Sequence, residues 1–347
     1  ETMKALVLEE YKKLVLREVP QPEYGEHDVL IRVKDCAVCG SDVHGYDGST
    51  GRRIPPVIMG HEAAGVIEKC GAKVTDYKPG DRVTFDSTVY CNECEMCRAG
   101  RVNLCRNRRV LGVSCDEYRQ NGAFAEYVAV PDYILYRLPD NVTFRQASMV
   151  EPLSVAYHGV TRAGVEPGST VMVVGVGTIG ILVMQIVKSM GAGRVIAVDV
   201  DENRLKMARE NGATDTVNSG EPGALEKVRA LTEDGDGVDL AIDATGIQAT
   251  VDLCVRAARL GGKVVLVGNL AKEVAMPLQV IVTRELTLFG SCASAGEYDK
   301  CLELIAAGKV DVDAILSAAV PLEQGAEWIE KVYNHEPGLY KIVLTME

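Results

Sequence analysis

The hydrophobic rhythm of the chain changes twice. Up to about Pro139, short apolar runs such as Met3–Leu8, Leu14–Arg17 and Val29–Val33 alternate with glycine turns, and Pro20, Pro22 and Gly25 punctuate a loop. Few helical periods occur there, which predicts a β-rich domain. From about Ser148, helical periods alternate with strand-length apolar runs. These include Leu240–Asp243, a helix from Gln248 to Leu260, and Lys263–Val267. That alternation predicts a doubly wound parallel sheet, and so an α/β fold. After Arg284 the pattern is mixed, with a strand near Leu286–Phe289, helices near Tyr298–Ala307 and Gln324–Asn334, and a last strand Lys341–Thr345. The expected division is a β-rich domain over 1–150, a parallel-sheet domain over 151–288, and a tail over 289–347 that returns to the first domain. There is no internal repeat and no low-complexity tract.

The clearest single stretch runs from Val171 to Asp199. A buried-strand run, Val171–Val174, leads into Gly175-Val-Gly177-Thr178-Ile179-Gly180, an apolar helix to Met190, and a second strand, Val195–Val198, that ends on Asp199. Gly175 permits a tight turn, Gly177 lets backbone approach a pyrophosphate, and Gly180 lets helix and strand pack closely. The exposed N–H groups of the helix start then receive phosphates. Asp199 stands where a carboxylate binds both hydroxyls of an adenosine ribose. An ordinary glycine turn in a βαβ unit is the alternative. The strands, helix and acid in their places favour a Rossmann dinucleotide site, and the acid favours NAD over NADP by repelling a 2′-phosphate.

Bulk numbers narrow the class. A chain of 347 residues holds two domains by default. Its net charge of −12 speaks against a nucleic-acid or anionic-membrane partner. No apolar run reaches bilayer-spanning length unbroken, and no signal peptide is present. Glu1-Thr2 ahead of Met3 reads as a processing or tag remnant, with Met3 the expected native start. Eleven cysteines without a secretory signal point to a reduced, cytoplasmic protein that uses thiols for metal or packing.

Cys91, Cys94 and Cys97, with Cys105 eight residues on, form the most specific cysteine pattern. Four thiolates close a tetrahedral site, which makes a structural zinc the expectation for a lobe at about 88–108. Free surface thiols or an iron–sulfur cluster are the alternatives, and the spacing is not that of ferredoxins. Three further segments carry separated ligand types: Cys39-Gly-Ser41-Asp42-Val-His44, Gly60-His61-Glu62, and Glu151-Pro152. A cysteine, a histidine and a carboxylate with one open position make a Lewis-acid zinc site. Each segment alone is weak: a His–Glu pair is more often buried and hydrogen-bonded, and Glu151 could cap a helix.

Together, these segments, the cysteine lobe and the late GVGTIG turn resemble the zinc-dependent medium-chain dehydrogenase family over nearly the whole chain. CGSD, GHE and EP are similar to the polyol branch, that of sorbitol (L-iditol) and galactitol-1-phosphate dehydrogenases. A glutamate at Glu151, where the ethanol-type branch has cysteine, points the same way. The resemblance implies a GroES-like catalytic domain beside the Rossmann domain, two zinc ions per chain, NAD, and hydride transfer from a secondary alcohol of a polyol or sugar alcohol. It implies Cys39 and His61 as catalytic zinc ligands. Glu62 and Glu151 share the carboxylate role, one as ligand and one as alternate ligand or holder of the zinc water. Asp42 would orient a histidine ligand, and Ser41 would take the substrate's proton. His44 is either the onward relay or an uninvolved exposed histidine.

For the cofactor, the resemblance adds Arg204 at the adenosine edge, with a solvated helix charge as the alternative. It adds Thr245, Gly246, Val267, Gly268, Asn269, Ser291 and Cys292 around the nicotinamide, with ordinary strand-end turns as the alternative. Cys36, three before Cys39, reads as a packing residue, as do Cys70, Cys115, Cys254 and Cys301. The Arg284–Ser294 stretch departs from animal sorbitol dehydrogenases, so the substrate wall differs. A phosphorylated substrate would need basic residues at the mouth of the site, for which Arg52, Arg53 and Arg119 are candidates. Threonine or butanediol dehydrogenase, and a non-catalytic zinc-stabilised NAD-binding protein, are the competing functions. A homodimer or homotetramer is expected by analogy.

Overall fold

A computed structural model describes residues 1–115 and 118–347. The chain divides into two compact units. One comprises Glu1–Glu151, Tyr298–Ala306 and Ile315–Glu347, and the other Pro152–Glu297 and Ala307–Ala314.

In the first unit the alternating short runs become antiparallel strands. Among the described residues, a seven-stranded sheet has the order Leu135–Arg137, Arg82–Phe85, Glu62–Cys70, Asp28–Ala37, Lys341–Thr345 and Leu316–Pro321, with Tyr127–Pro131 also paired to Asp28–Ala37. Val343, Leu344 and Thr345 lie opposite Ala37, Cys36 and Asp35, so the end of the chain is a sheet strand of this unit. A smaller sheet joins Lys13–Pro20, Thr2–Glu10 and Val57–Ile58. The core between them gathers Leu6, Ile31, Ile67, Phe85 and Phe124, all essentially buried.

In the second unit the near-continuous apolar runs form a six-stranded parallel sheet, as strands buried on both faces do. Its order is Asp215–Asn218, Arg194–Asp199, Thr170–Val174, Val238–Asp243, Ala258–Leu266 and Thr287–Gly290. Numbered along the chain that is 3-2-1-4-5-6, the Rossmann order. The expected α/β fold, a β-rich GroES-like part with a Rossmann sheet, is the one observed.

One local reading changes. The helix from Gln248 ends at Ala257, not Leu260, because Ala258 turns extended and pairs with Val238. The segment after Cys39, to which the sequence pattern assigns no element, is a short helix, Gly40–Tyr46. Asp42 starts it by accepting the Cys39 N–H at 3.1 Å, the reciprocal half of a capping box. No helix of the described residues is long and apolar enough to cross a membrane.

Candidate active site and cofactor sites

Cys39 stands at the N-cap of the Gly40–Tyr46 helix, one residue beyond the Asp28–Ala37 strand and Val38. His61 and Glu62 come from the start of the neighbouring strand, where Glu62 pairs with Ala37. Gly60 makes that approach possible. Its φ is +100°, and a Cβ there would lie 2.8 Å from the Phe124 nitrogen. The result is a group of Cys39, His61 and Glu62 whose ligand atoms all lie within 4.8 Å of one another. Burial and the nearby Glu62 push the Cys39 thiol up to about 11. Such a thiol loses its proton readily only when a cation arrives, as in metal binding.

Glu151 lies in the first turn of the Val150–Ala163 helix and accepts a hydrogen bond from the Ser87 hydroxyl at 3.3 Å. Burial, and then the charge of Glu62, hold its carboxyl well above the usual range, while His61 pulls it down. Glu151 therefore feels the three-residue group from outside it. Asp42 is fully buried, and its Oδ1 is 3.6 Å from His61 Nδ1, on the side of the ring where a carboxylate orients a ligating histidine. Ser41 donates its hydroxyl proton to Cys39 Sγ at 3.3 Å. His44 is exposed on the same helix, one turn after Ser41.

Three partners of this group were not legible in the sequence. Lys341, 3% exposed, donates to both oxygens of Glu62 at 2.8 and 3.2 Å and to the Val38 carbonyl at 3.0 Å. Burial alone would lower its pKa, but Glu62 and then Cys39 hold it above the ordinary lysine value. Arg53 is no mouth residue open to a substrate phosphate. It is 3% exposed and reaches Ser41 and Asp42. Ser87 is the third. A lone lysine opening an otherwise apolar strand, Lys341-Ile-Val-Leu, was the one available signal. Arg52 and Arg119 remain exposed.

The lobe around Cys91 presents four sulfurs within 4.8 Å of one another. Cys91 and Cys97 are 4.0 Å apart, and Cys94 and Cys97 3.6 Å. Bonds of about 2.3 Å to a tetrahedral zinc give sulfur separations of about 3.8 Å, whereas a disulfide needs about 2.05 Å. The donor set thus fits a closed zinc site. The backbone N–H groups of Cys97 and Arg106 lower the Cys94 thiol to about 6. Burial and the Cys94 sulfur raise Cys97 to about 12.

In the second unit, Gly175 has φ +85°, and a Cβ there would sit 2.1 Å from Thr245 Oγ1. A Cβ on Gly180 would strike the Gly175 carbonyl at 1.9 Å, yet one on Gly177 would meet nothing closer than Arg204 at 3.8 Å. The turn is closed on the protein side and open at Gly177, and no side chain caps the helix Thr178–Ser189 that carries Ile179 and Gly180. Asp199 anchors this turn. Its two oxygens accept the N–H groups of Val176 at 2.9 Å and Asp201 at 3.0 Å, and Arg204 Nη1 is 3.9 Å away. The Thr245–Gly246 turn packs backbone to backbone on Val267–Asn269, with a Cβ on Gly246 coming 2.3 Å from the Asn269 nitrogen. Asp243, unmarked in the sequence reading, ties the two together. Its carboxylate takes the N–H of Thr245 and Gly246, and its carbonyl those of Val267 and Gly268. Ser291 hydrogen-bonds through its N–H to Leu266, its Oγ is buried without a partner among the described residues, and Cys292 is exposed.

The family model of the alcohol dehydrogenase GroES-like domain matches residues 25–140, and that of zinc-binding dehydrogenases matches 178–307. D-xylulose reductase A of Aspergillus niger is 37% identical over 336 residues, covering 94% of this chain and 93% of that protein. Sorbitol dehydrogenase of Bacillus subtilis is 33% identical over 349 residues, covering 99% and 97%. The chain belongs to the zinc-dependent medium-chain dehydrogenase family, on its polyol branch. A solved member, a zinc-binding dehydrogenase from Sinorhizobium meliloti bound to NADP, superposes with a TM-score of 0.91 at 33% identity over the whole of both chains. As a member of this family the protein is an oxidoreductase that uses zinc and a nicotinamide dinucleotide on a small-molecule alcohol.

Proposed function

We propose that this dehydrogenase oxidises a secondary alcohol of a polyol or sugar alcohol, with NAD as the hydride acceptor. The observation that carries the proposal is the convergence of Cys39, His61 and Glu62, three ligand types of an open zinc site, beside the Ser41 hydroxyl. When bound, zinc supplies the Lewis acidity that makes a hydroxyl acidic, and NAD takes the hydride.

The chain's own residues do the rest. Cys39, His61 and Glu62 hold the ion, and Glu151 faces them as a second carboxylate. The two positive charges of a zinc ion are matched by the Cys39 thiolate and Glu62, which leaves Lys341 to be matched by Glu151. Asp42 holds the His61 ring, and Ser41 accepts the proton of the substrate hydroxyl and passes its own towards His44. Cys91, Cys94, Cys97 and Cys105 hold the second, structural zinc. The glycine turn Gly175–Gly180 receives the pyrophosphate, and Asp199 the adenosine ribose, with Arg204 beside it. Thr245, Gly246, Val267, Gly268, Asn269, Ser291 and Cys292 border the nicotinamide. The preference for NAD follows from Asp199, whose charge repels a 2′-phosphate.

The proposed form is a cytoplasmic homodimer or homotetramer. The assignment of Cys39 and of Cys91, Cys94, Cys97 and Cys105 to metal, not to disulfides, is what a reducing compartment favours. The edge strand Thr287–Gly290 follows a helix on which Leu278 and Val282 are 70% and 66% exposed. Light scattering of the purified protein tests this, and a monomer refutes it. The function itself is tested by NAD reduction across polyols, sugar-alcohol phosphates, diols and threonine. Turnover of a polyol that is lost in Cys39→Ser supports the proposal, and turnover of threonine or a simple diol alone rejects it.

A further inference from the structure

Arg53 is an expensive residue to keep where it is. Its guanidinium is almost fully buried, and its Nε has no hydrogen-bond partner among the described residues. A buried polar group left unpaired costs stability. The helix above makes room for it. A Cβ on Gly45, inside the Gly40–Tyr46 helix, would lie 2.1 Å from Arg53 Cγ and 3.1 Å from Arg53 Cβ. Glycine inside a helix is less stable than alanine there, so two unfavourable choices are made together.

Both serve contacts beside the candidate zinc group. A single nitrogen, Arg53 Nη2, donates to Ser41 Oγ at 3.1 Å and to Asp42 Oδ1 at 3.2 Å. A serine hydroxyl has one proton to give and two lone pairs to receive with. Here Arg53 fills one lone pair and Cys39 Sγ receives the proton, so one acceptor position is left. A hydroxyl arriving at Ser41 can then only donate to it.

We propose that Arg53 is a positioning residue that gives the Ser41 relay its direction. It rests on the reading of Ser41 as the group that takes the substrate's proton. In each oxidation the substrate O–H bond breaks and its proton passes to Ser41 Oγ. The proton that Ser41 carried leaves for water by way of exposed His44, and the hydride goes to NAD. Arg53 keeps all its protons. Its charge stabilises the electron-rich Ser41 oxygen as its own proton leaves and before the substrate's has fully arrived, and it fixes Asp42, whose other neighbour is the His61 ring.

The test is a double-mutant cycle on the zinc-replete enzyme, with zinc per chain measured for every variant. Arg53→Ala is expected to lower kcat by about ten- to a hundredfold, the range of one hydrogen bond from a charged donor, with KM little changed. In the Ser41→Ala background the same substitution is expected to change kcat by less than about threefold, because groups acting as a unit are not additive. Millimolar methylguanidinium is expected to restore part of the Arg53→Ala rate and none of the Ser41→Ala rate. Gly45→Ala, which displaces the arginine while leaving it in the chain, is expected to follow Arg53→Ala. Undiminished kcat in Arg53→Ala, full additivity with Ser41→Ala, or a rate loss that tracks zinc loss overturns the inference. An unimpaired Ser41→Ala instead overturns the relay itself, a separate failure.

Discussion

Replacing Lys341 with methionine removes the cation that is paired, among the described residues, with Glu62, a carboxylate that is 1% exposed. The stem is nearly isosteric, so packing changes little, and the effect isolates the charge. Glu62 loses two charge-assisted hydrogen bonds, at 2.8 and 3.2 Å, and stays buried beside Cys39 and Glu151. Breaking a buried pair from one side costs about 3–5 kcal/mol, most of it the uncompensated charge left behind. Lys341→Met is therefore expected to destabilise its unit by about that much, whereas Lys341→Met with Glu62→Gln, which removes both charges, is expected to recover most of it. The reporter is built in. The chain's single tryptophan, Trp328, belongs to the same unit and packs on its core. Urea titrations followed by tryptophan fluorescence, with zinc content measured for each variant, give the cycle directly. A coupling energy of about 2 kcal/mol or more fits the argument. One below about 0.5 kcal/mol, the range of an exposed pair, refutes it.

Cys105→Ser is expected to lower zinc from two ions per chain to one and to expose the Cys91–Cys105 loop to protease, since that loop has little apolar packing of its own and a structural zinc contributes about 10 kcal/mol or more. Metal analysis and limited proteolysis check this, and retention of both ions contradicts it. Asp199→Ala is expected to weaken NAD and narrow its advantage over NADP by about ten- to a hundredfold in kcat/KM, because the charge is lost and Arg204, 3.9 Å from it, is released towards a 2′-phosphate. An unchanged ratio removes Asp199 from the proposal. Gly175→Ala must force a φ of +85° and a Cβ into Thr245 Oγ1, so NAD affinity by fluorescence titration is expected to fall at least about tenfold while zinc content holds. An unaltered affinity places the pyrophosphate elsewhere.

The second unit was the more legible one, because its strands are buried on both faces and appear as continuous apolar runs, while the glycine turn is dictated by local backbone demands at Gly175 and Gly180. The CGSD, GHE and four-cysteine motifs were legible for a similar reason: ligands that share a turn must be close in sequence. The partners of those motifs were not. Lys341 meets Glu62 across 279 positions through a strand pairing that no local pattern encodes. Arg53 read as a candidate at the mouth of the site, because burial of an arginine is decided by a fully buried Asp42 and by the space at Gly45. Asp243 read as a plain strand end, though its carboxylate organises two turns. The boundary at Ala257 was missed because Ala258 leaves the helix to pair with Val238, a tertiary preference that overrides the helical period.

The central claim is that zinc at Cys39, His61 and Glu62, together with NAD, oxidises a polyol. The most direct measurement is NADH formation by the purified, zinc-quantified protein on xylitol, sorbitol and related polyols, before and after chelation, with zinc then added back. The account predicts a polyol-dependent signal with NAD that disappears when the ion held by Cys39 is withdrawn and returns when it is restored. A rate indifferent to that ion, or no turnover of any polyol by protein carrying both zinc ions and NAD, contradicts it.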